Sequence, residues 1–91
     1  MLPLVLNEHQ VHLFNFYLDG EIHLGMRHGV SLFGLVNTFA VSQRSEAYQC
    51  ANKLAQAGRS VSITVSRQHY KVWIRLAASE ELPGNGLRAY F

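Results

Sequence analysis

Asp19-Gly20 constrains this chain more than any other pair of residues. It stands between "VHLFNFYL" (residues 11–18) and "EIHLGMRH" (residues 21–28), two runs rich in residues that favour strands. Asp-Gly accepts the positive φ angles of a type I′ turn, whose twist matches that of two paired strands. With Asp19-Gly20 as the two-residue loop, Leu18 opposes Glu21 and the whole register follows. Tyr17 pairs with Ile22, Asn15 with Leu24 and Leu13 with Met26 on one face. Phe16 pairs with His23, Phe14 with Gly25 and His12 with Arg27 on the other. A slip of one residue would exchange the faces, so the turn decides what the hairpin can bury.

Gly29 ends the second strand. "SLFGLVNTFAV" (residues 31–41) is nearly all apolar or β-branched, as a central strand is. Gly34 within it marks a bulge or a close approach. A helix follows, with Ser42 or Ser45 able to cap its first turn. Ala47, Cys50, Ala51, Leu54 and Ala57 form one stripe at helical spacing, and Gln49, Asn52, Lys53 and Gln56 lie opposite. Small stripe residues let the helix lie close to a sheet. Gly58 is placed at C′, where a left-handed residue ends a helix.

"SVSITVS" (residues 60–66) alternates without exception, with Val61, Ile63 and Val65 facing the helix. After the "RQH" turn, "YKVWIRL" returns as a further strand. It sends Tyr70, Val72, Ile74 and Leu76 inward and Lys71, Trp73 and Arg75 outward. The order predicts an α+β fold: an antiparallel sheet of about five strands, β-β-β-α-β-β, with one helix packed on one face. Residues 1–91 are expected to form a single domain. Residues 79–91, with Pro83, Gly84 and Gly86, form a loop-like C-terminal tail that Leu87, Tyr90 and Phe91 can dock.

Composition narrows the function by exclusion. The single cysteine, Cys50, leaves no disulfide framework and no Cys-based zinc site, which suits a reducing compartment. No apolar run approaches the roughly 20 residues that span a bilayer, and the start "MLPLVLNEHQ" lacks a basic leader. The expectation is a cytoplasmic protein without membrane association. The net charge of +2 permits an anionic partner without demanding one.

His9 and His12 are spaced H-x-x-H, with His23 and His28 following, yet no Cys pair or H-E-x-x-H helix completes a metal site. Cys50 lies on the buried helix stripe and reads as a small core residue rather than a nucleophile. Asp19 serves the turn and Glu46 the helix dipole. Glu80 and Glu81 lie in the tail, so no carboxylate pair is placed for acid–base work. "GNG" at 84–86 lacks the strand–loop–helix setting of a phosphate loop. No enzyme, no cofactor and no metal are expected.

One helix cannot cover five strands, and the uncovered face carries the functional expectation. Phe14, Phe16, His23 and Arg27 from the hairpin join Lys71, Trp73 and Arg75 from the last strand. Leu13, Leu24 and Met26 make the opposite hairpin face equally apolar, so alternation alone leaves the hairpin's facing open. With the aromatics outward, the face suits another protein or a second copy of the chain, since exposed aromatics with Arg mark interfaces. A competing reading stacks single-stranded nucleic-acid bases on the aromatics while Lys and Arg meet phosphates. A third has Phe14 and Phe16 packing beneath the N-terminal segment or the tail.

Residues 33–76, "FGLVNTFAVSQRSEAYQCANKLAQAGRSVSITVSRQHYKVWIRL", resemble part of a SPOR domain. Ala47, Ala51, Leu54 and Gly58 match its A-x-x-x-A-x-x-L-x-x-x-G helix, and "YKVWIRL" is similar to its closing strand. The resemblance implies a ferredoxin-like fold that binds peptidoglycan glycan strands through its sheet. The sequence departs where "IRLAAS" replaces a Gly-Pro-Phe-like turn and where no second helix follows. The leading expectation is a small protein-binding module, acting as subunit, adaptor, regulator or inhibitor through its open sheet face or a sheet edge. Phe14, Phe16, Trp73 and Arg75 are its contact residues, with Lys71, Arg27 and His23 at the rim.

Overall fold

The computed structural model describes residues 3–76. Among them the chain forms β1 (Leu4–Asn7), a 3₁₀ turn (Glu8–Gln10), β2 (His12–Leu18), β3 (Glu21–His28) and β4 (Ser31–Ala40). A second 3₁₀ turn (Val41–Gln43), α1 (Arg44–Gln56), β5 (Val61–Val65) and β6 (His69–Leu76) follow. The fold is α+β, with one helix against a six-stranded sheet of order β1-β5-β6-β4-β3-β2.

The hairpin forms in the register that its turn dictates, from Leu18 opposite Glu21 to His12 opposite Arg27. Asp19 and Gly20 both take positive φ, 53° and 79°, as a type I′ turn requires. β1 is one strand more than the sequence suggests. It lies parallel to β5, with Leu4 opposite Ser62 and Asn7 opposite Val65, so the sheet is mixed rather than wholly antiparallel. Its four residues carry too little alternation to announce a strand.

α1 starts at Arg44 with Gln43 at the N-cap, and neither Ser42 nor Ser45 caps it. The Gln43 side chain instead accepts from the Ala40 backbone N–H at 3.0 Å. The C-terminus closes as a Schellman motif: Gly58 takes φ 87°, Arg59 N–H donates to Leu54 O at 3.1 Å and Gly58 N–H to Ala55 O at 3.0 Å. Ala47 and Ala51 are the fully buried residues of the stripe. Tyr48, Cys50, Leu54 and Ala55 pack around them, and Ala57 is exposed.

Chain length shows that the sheet is strongly curled. β1 and β2 are its two edges, and six flat strands would hold those edges about 24 Å apart. Asn7 and His12 are joined by five Cα–Cα steps, which reach at most about 19 Å. The edges must therefore bend toward each other. Consistently, Leu13 of β2 lines the same cleft as Val65 and Ser66 at the end of β5, although three strands separate β2 from β5 in the order.

Curling gives the molecule two cores. On the convex face, Val61, Ile63 and Val72 bury against Ala47 and Ala51 of α1. On the concave face, Met26, Phe33 and Trp73 bury with Val11, and Leu6, Leu24 and Leu35 complete the cluster. Each fully buried Val, Ile, Met or Phe among them contributes about 1.5–3 kcal/mol of transfer free energy. The concave side is thus filled by the sheet's own side chains and by the crossing from β1 to β2.

Candidate protein-binding surface

The register separates the residues that the sequence groups together. Phe14 opposes Gly25, Gly25 opposes Gly34, and Gly34 opposes Ile74, which packs against the helix core. Phe14, Phe16, His23 and Arg27 therefore share the convex, helix-bearing face. Lys71, Trp73 and Arg75 lie on the concave side, one position out of phase. The expected single patch opposite the helix does not exist. Its physical reason is the curl: among the described residues the middle of the face without a helix, around Met26 and Trp73, is an interior.

Trp73 has no exposed surface, and its Nε1–H donates to Thr64 Oγ1 at 2.9 Å. It is a core residue and cannot be a contact residue in this state. Lys71 is half-buried, and its Nζ meets Glu8 Oε2 at 2.8 Å. That ion pair ties the β1–β2 crossing to β6. Arg75 and Arg27 are exposed, on opposite faces. The register parts Trp73 from Phe14 and Phe16, which share their face with His23 and Arg27.

On the convex face, Gly25 provides the floor for Phe14. A Cβ at Gly25 would stand 2.5 Å from the tip of the Phe14 ring, so the ring rests directly on the backbone. Phe14 and Phe16 have centroids 6.0 Å apart, and Phe16 stacks on His23 at 5.5 Å. Phe16 is only 4% exposed. Gly34 is no close approach, since a Cβ there would meet Leu76 at an ordinary 3.5 Å. The irregularity of β4 lies instead between Leu35 and Asn37.

The surface that the sequence reading missed is the outer half of the hairpin. The β3–β4 ladder runs only from Gly25 opposite Gly34 to His28 opposite Ser31. Beyond it, residues 21–24 pair with β2 alone among the described residues. This two-stranded arm carries Tyr17 opposite Ile22, 46% and 61% exposed, on the face that is interior farther down. A signal existed: the register pairs Tyr17 with Ile22 from the turn outward. What the sequence lacked was any sign that β4 parts from β3 beyond Gly34 and continues on β6 alone.

At the foot of β2, a cleft of about 340 Å³ opens between Glu8, His9, Val11, Leu13, Val65 and Ser66. It combines an apolar wall with three polar side chains. Among the described residues no three His, Cys, Asp or Glu side chains come together as metal ligands would. No helix of the described residues is long and apolar enough to cross a membrane. Residues 79–91, which hold the expected docking residues Leu87, Tyr90 and Phe91, lie outside the described residues. No family model, curated protein or solved structure matches this chain.

Proposed function

We propose that the chain is a non-enzymatic protein-binding module whose contact surface is the outer half of the β2–β3 hairpin. The observation that carries this reading is the exposed Tyr17–Ile22 pair on a ribbon where, among the described residues, β3 has lost its second neighbour. A two-stranded ribbon is marginal by itself in water and gains order when another chain extends or covers it. Natural edge strands are shielded by Lys, Pro, bulges or inward charges. β2, "HLFNFYL", carries no Lys, Arg, Asp, Glu or Pro, and no bulge interrupts its pairing with β3. Phe16 and His23 stiffen the ribbon from the convex side, so the concave side presents Tyr17 and Ile22 as anchors. Aromatic anchors of this kind dominate binding energy at interfaces.

Capture of binding partners by the immobilised chain tests the reading. Ile22→Asp is expected to weaken the complex by about tenfold or more while circular dichroism stays unchanged. Val30→Asp serves as the control, because Val30 is 98% exposed at the neighbouring turn and outside the proposed surface. Equal retention of partners by both variants would remove the arm as the binding surface.

A further inference from the structure

We infer that the outward edge of β2 pairs with a second copy of the same strand, antiparallel about a two-fold axis through Asn15. This rests on the reading of the arm as a binding surface and names its occupant. Residues flanking a two-residue turn form a hydrogen-bonded pair, and such pairs then alternate along the ladder. Leu18, Phe16, Phe14 and His12 therefore aim their backbone groups at β3, and Asn15 and Leu13 aim theirs outward. Asn15 is also the midpoint of His12–Leu18. It is the one outward residue about which the entire strand pairs with itself. Centring on Leu13 would run β2 past its own start, and centring on Tyr17 would run it into the turn.

The side chains agree with that axis. "LFNFY" reads nearly the same in both directions about Asn15. Phe14 meets Phe16 of the second copy, and Leu13 meets Tyr17 of the second copy, each twice by symmetry. Aromatic pairs directly opposite one another are favourable, and like charges so placed are not. No ionised side chain lies between His12 and Leu18, so the symmetric pairing opposes no like charges.

The cleft supplies an independent argument. Leu13 lines it, and the residue opposite Leu13 in this register is Tyr17 of the second copy. That ring enters between Val11, Leu13 and Val65, and its hydroxyl reaches the polar side formed by Glu8, His9 and Ser66. A tyrosine, apolar in body and polar at its tip, fits such a lining. The exposed anchor of each copy thus fills the cleft of the other.

Sedimentation equilibrium on the full chain, from about 1 to about 100 µM, tests the dimer. A concentration-dependent dimer is expected, and a monomer throughout overturns the proposal. Asn15→Pro removes an outward N–H and leaves the β2–β3 bonds intact, because proline is tolerated on the open side of an edge strand. Asn15→Lys places two like charges on the axis and serves if the proline variant fails to fold. Either folded variant is expected to be monomeric, and an unchanged dimer overturns the proposal. Asn15→Cys in a Cys50→Ser background should oxidise to a covalent dimer, since the paired Cα atoms fall within disulfide range. Tyr17→Cys in that background should not, and the reverse result would overturn the register. The two readings fail separately. A monomeric wild type whose partner capture is lost with Ile22→Asp refutes the dimer alone. A dimer of this register with capture unaffected by Ile22→Asp refutes the use of the arm for other proteins.

Discussion

The hydrogen bond from Trp73 Nε1 to Thr64 Oγ1, 2.9 Å long and wholly buried, shows how one side chain's role follows from its surroundings. Both residues sit at outward positions of their strands by simple alternation, and both belong to the concave core. An indole N–H in such a place must find an acceptor, because leaving it unpaired costs about 1–3 kcal/mol. Thr64 supplies that acceptor and fills the same space as valine. Thr64→Val is therefore expected to destabilise the fold by about 1–3 kcal/mol in urea unfolding despite its conserved volume. The effect should shrink in a Trp73→Phe background, where no N–H is left unsatisfied. Additive losses from the two substitutions would show that the bond is not what couples them.

At the level of elements, the hairpin and the helix were legible because their signals are local. Asp19-Gly20 fixes a register without reference to the rest of the chain, and Gly58 ends α1 by its own φ. The glycines within strands are different, since their meaning depends on what crosses them. Gly25 lies beneath the Phe14 ring, with a virtual Cβ at 2.5 Å, whereas Gly34 has ordinary room beside Leu76. Gly25→Ala should cost about 1–3 kcal/mol through overpacking, measured by chemical denaturation. Gly34→Ala should be nearly neutral, or stabilising by up to about 1 kcal/mol through reduced freedom of the unfolded chain. Equal effects at the two sites would contradict the seating of Phe14. The sequence pointed to Gly34 because it interrupts the more apolar strand, and passed over Gly25 because its contact comes from the paired strand.

For the whole molecule, the short crossing from Asn7 to His12 is decisive. It draws the two edges of the sheet together, and the middle of the face that carries no helix becomes an interior. Stability should then be distributed unevenly. β4, β5 and β6 have neighbours on both sides and are covered by both cores, whereas residues 15–24 form a ribbon of two strands among the described residues. Hydrogen exchange at low protein concentration should therefore be slowest for the paired amides of β6. The hydrogen-bonded amides of the arm should exchange at least about tenfold faster. Comparable protection in the arm and in β6 would show that the ribbon is held by the fold and is not poised for a partner.

The amino-acid sequence by itself determined the α+β class, helix α1, the hairpin register and the alternation of β5 and β6. These follow from interactions among residues close along the chain: turn geometry, period-two alternation, a glycine stop. Only the tertiary structure decided which phase faces water. Curvature of the sheet depends on where the edges meet, and that depends on a four-residue strand paired with a partner almost sixty residues away. For this reason Trp73 and Lys71 moved from the expected surface into the core and an ion pair. Tyr17 and Ile22, on the phase that buries Met26 and Leu24 lower in the same hairpin, emerged as the exposed pair because β4 pairs with β3 only as far as Gly34 and then follows β6.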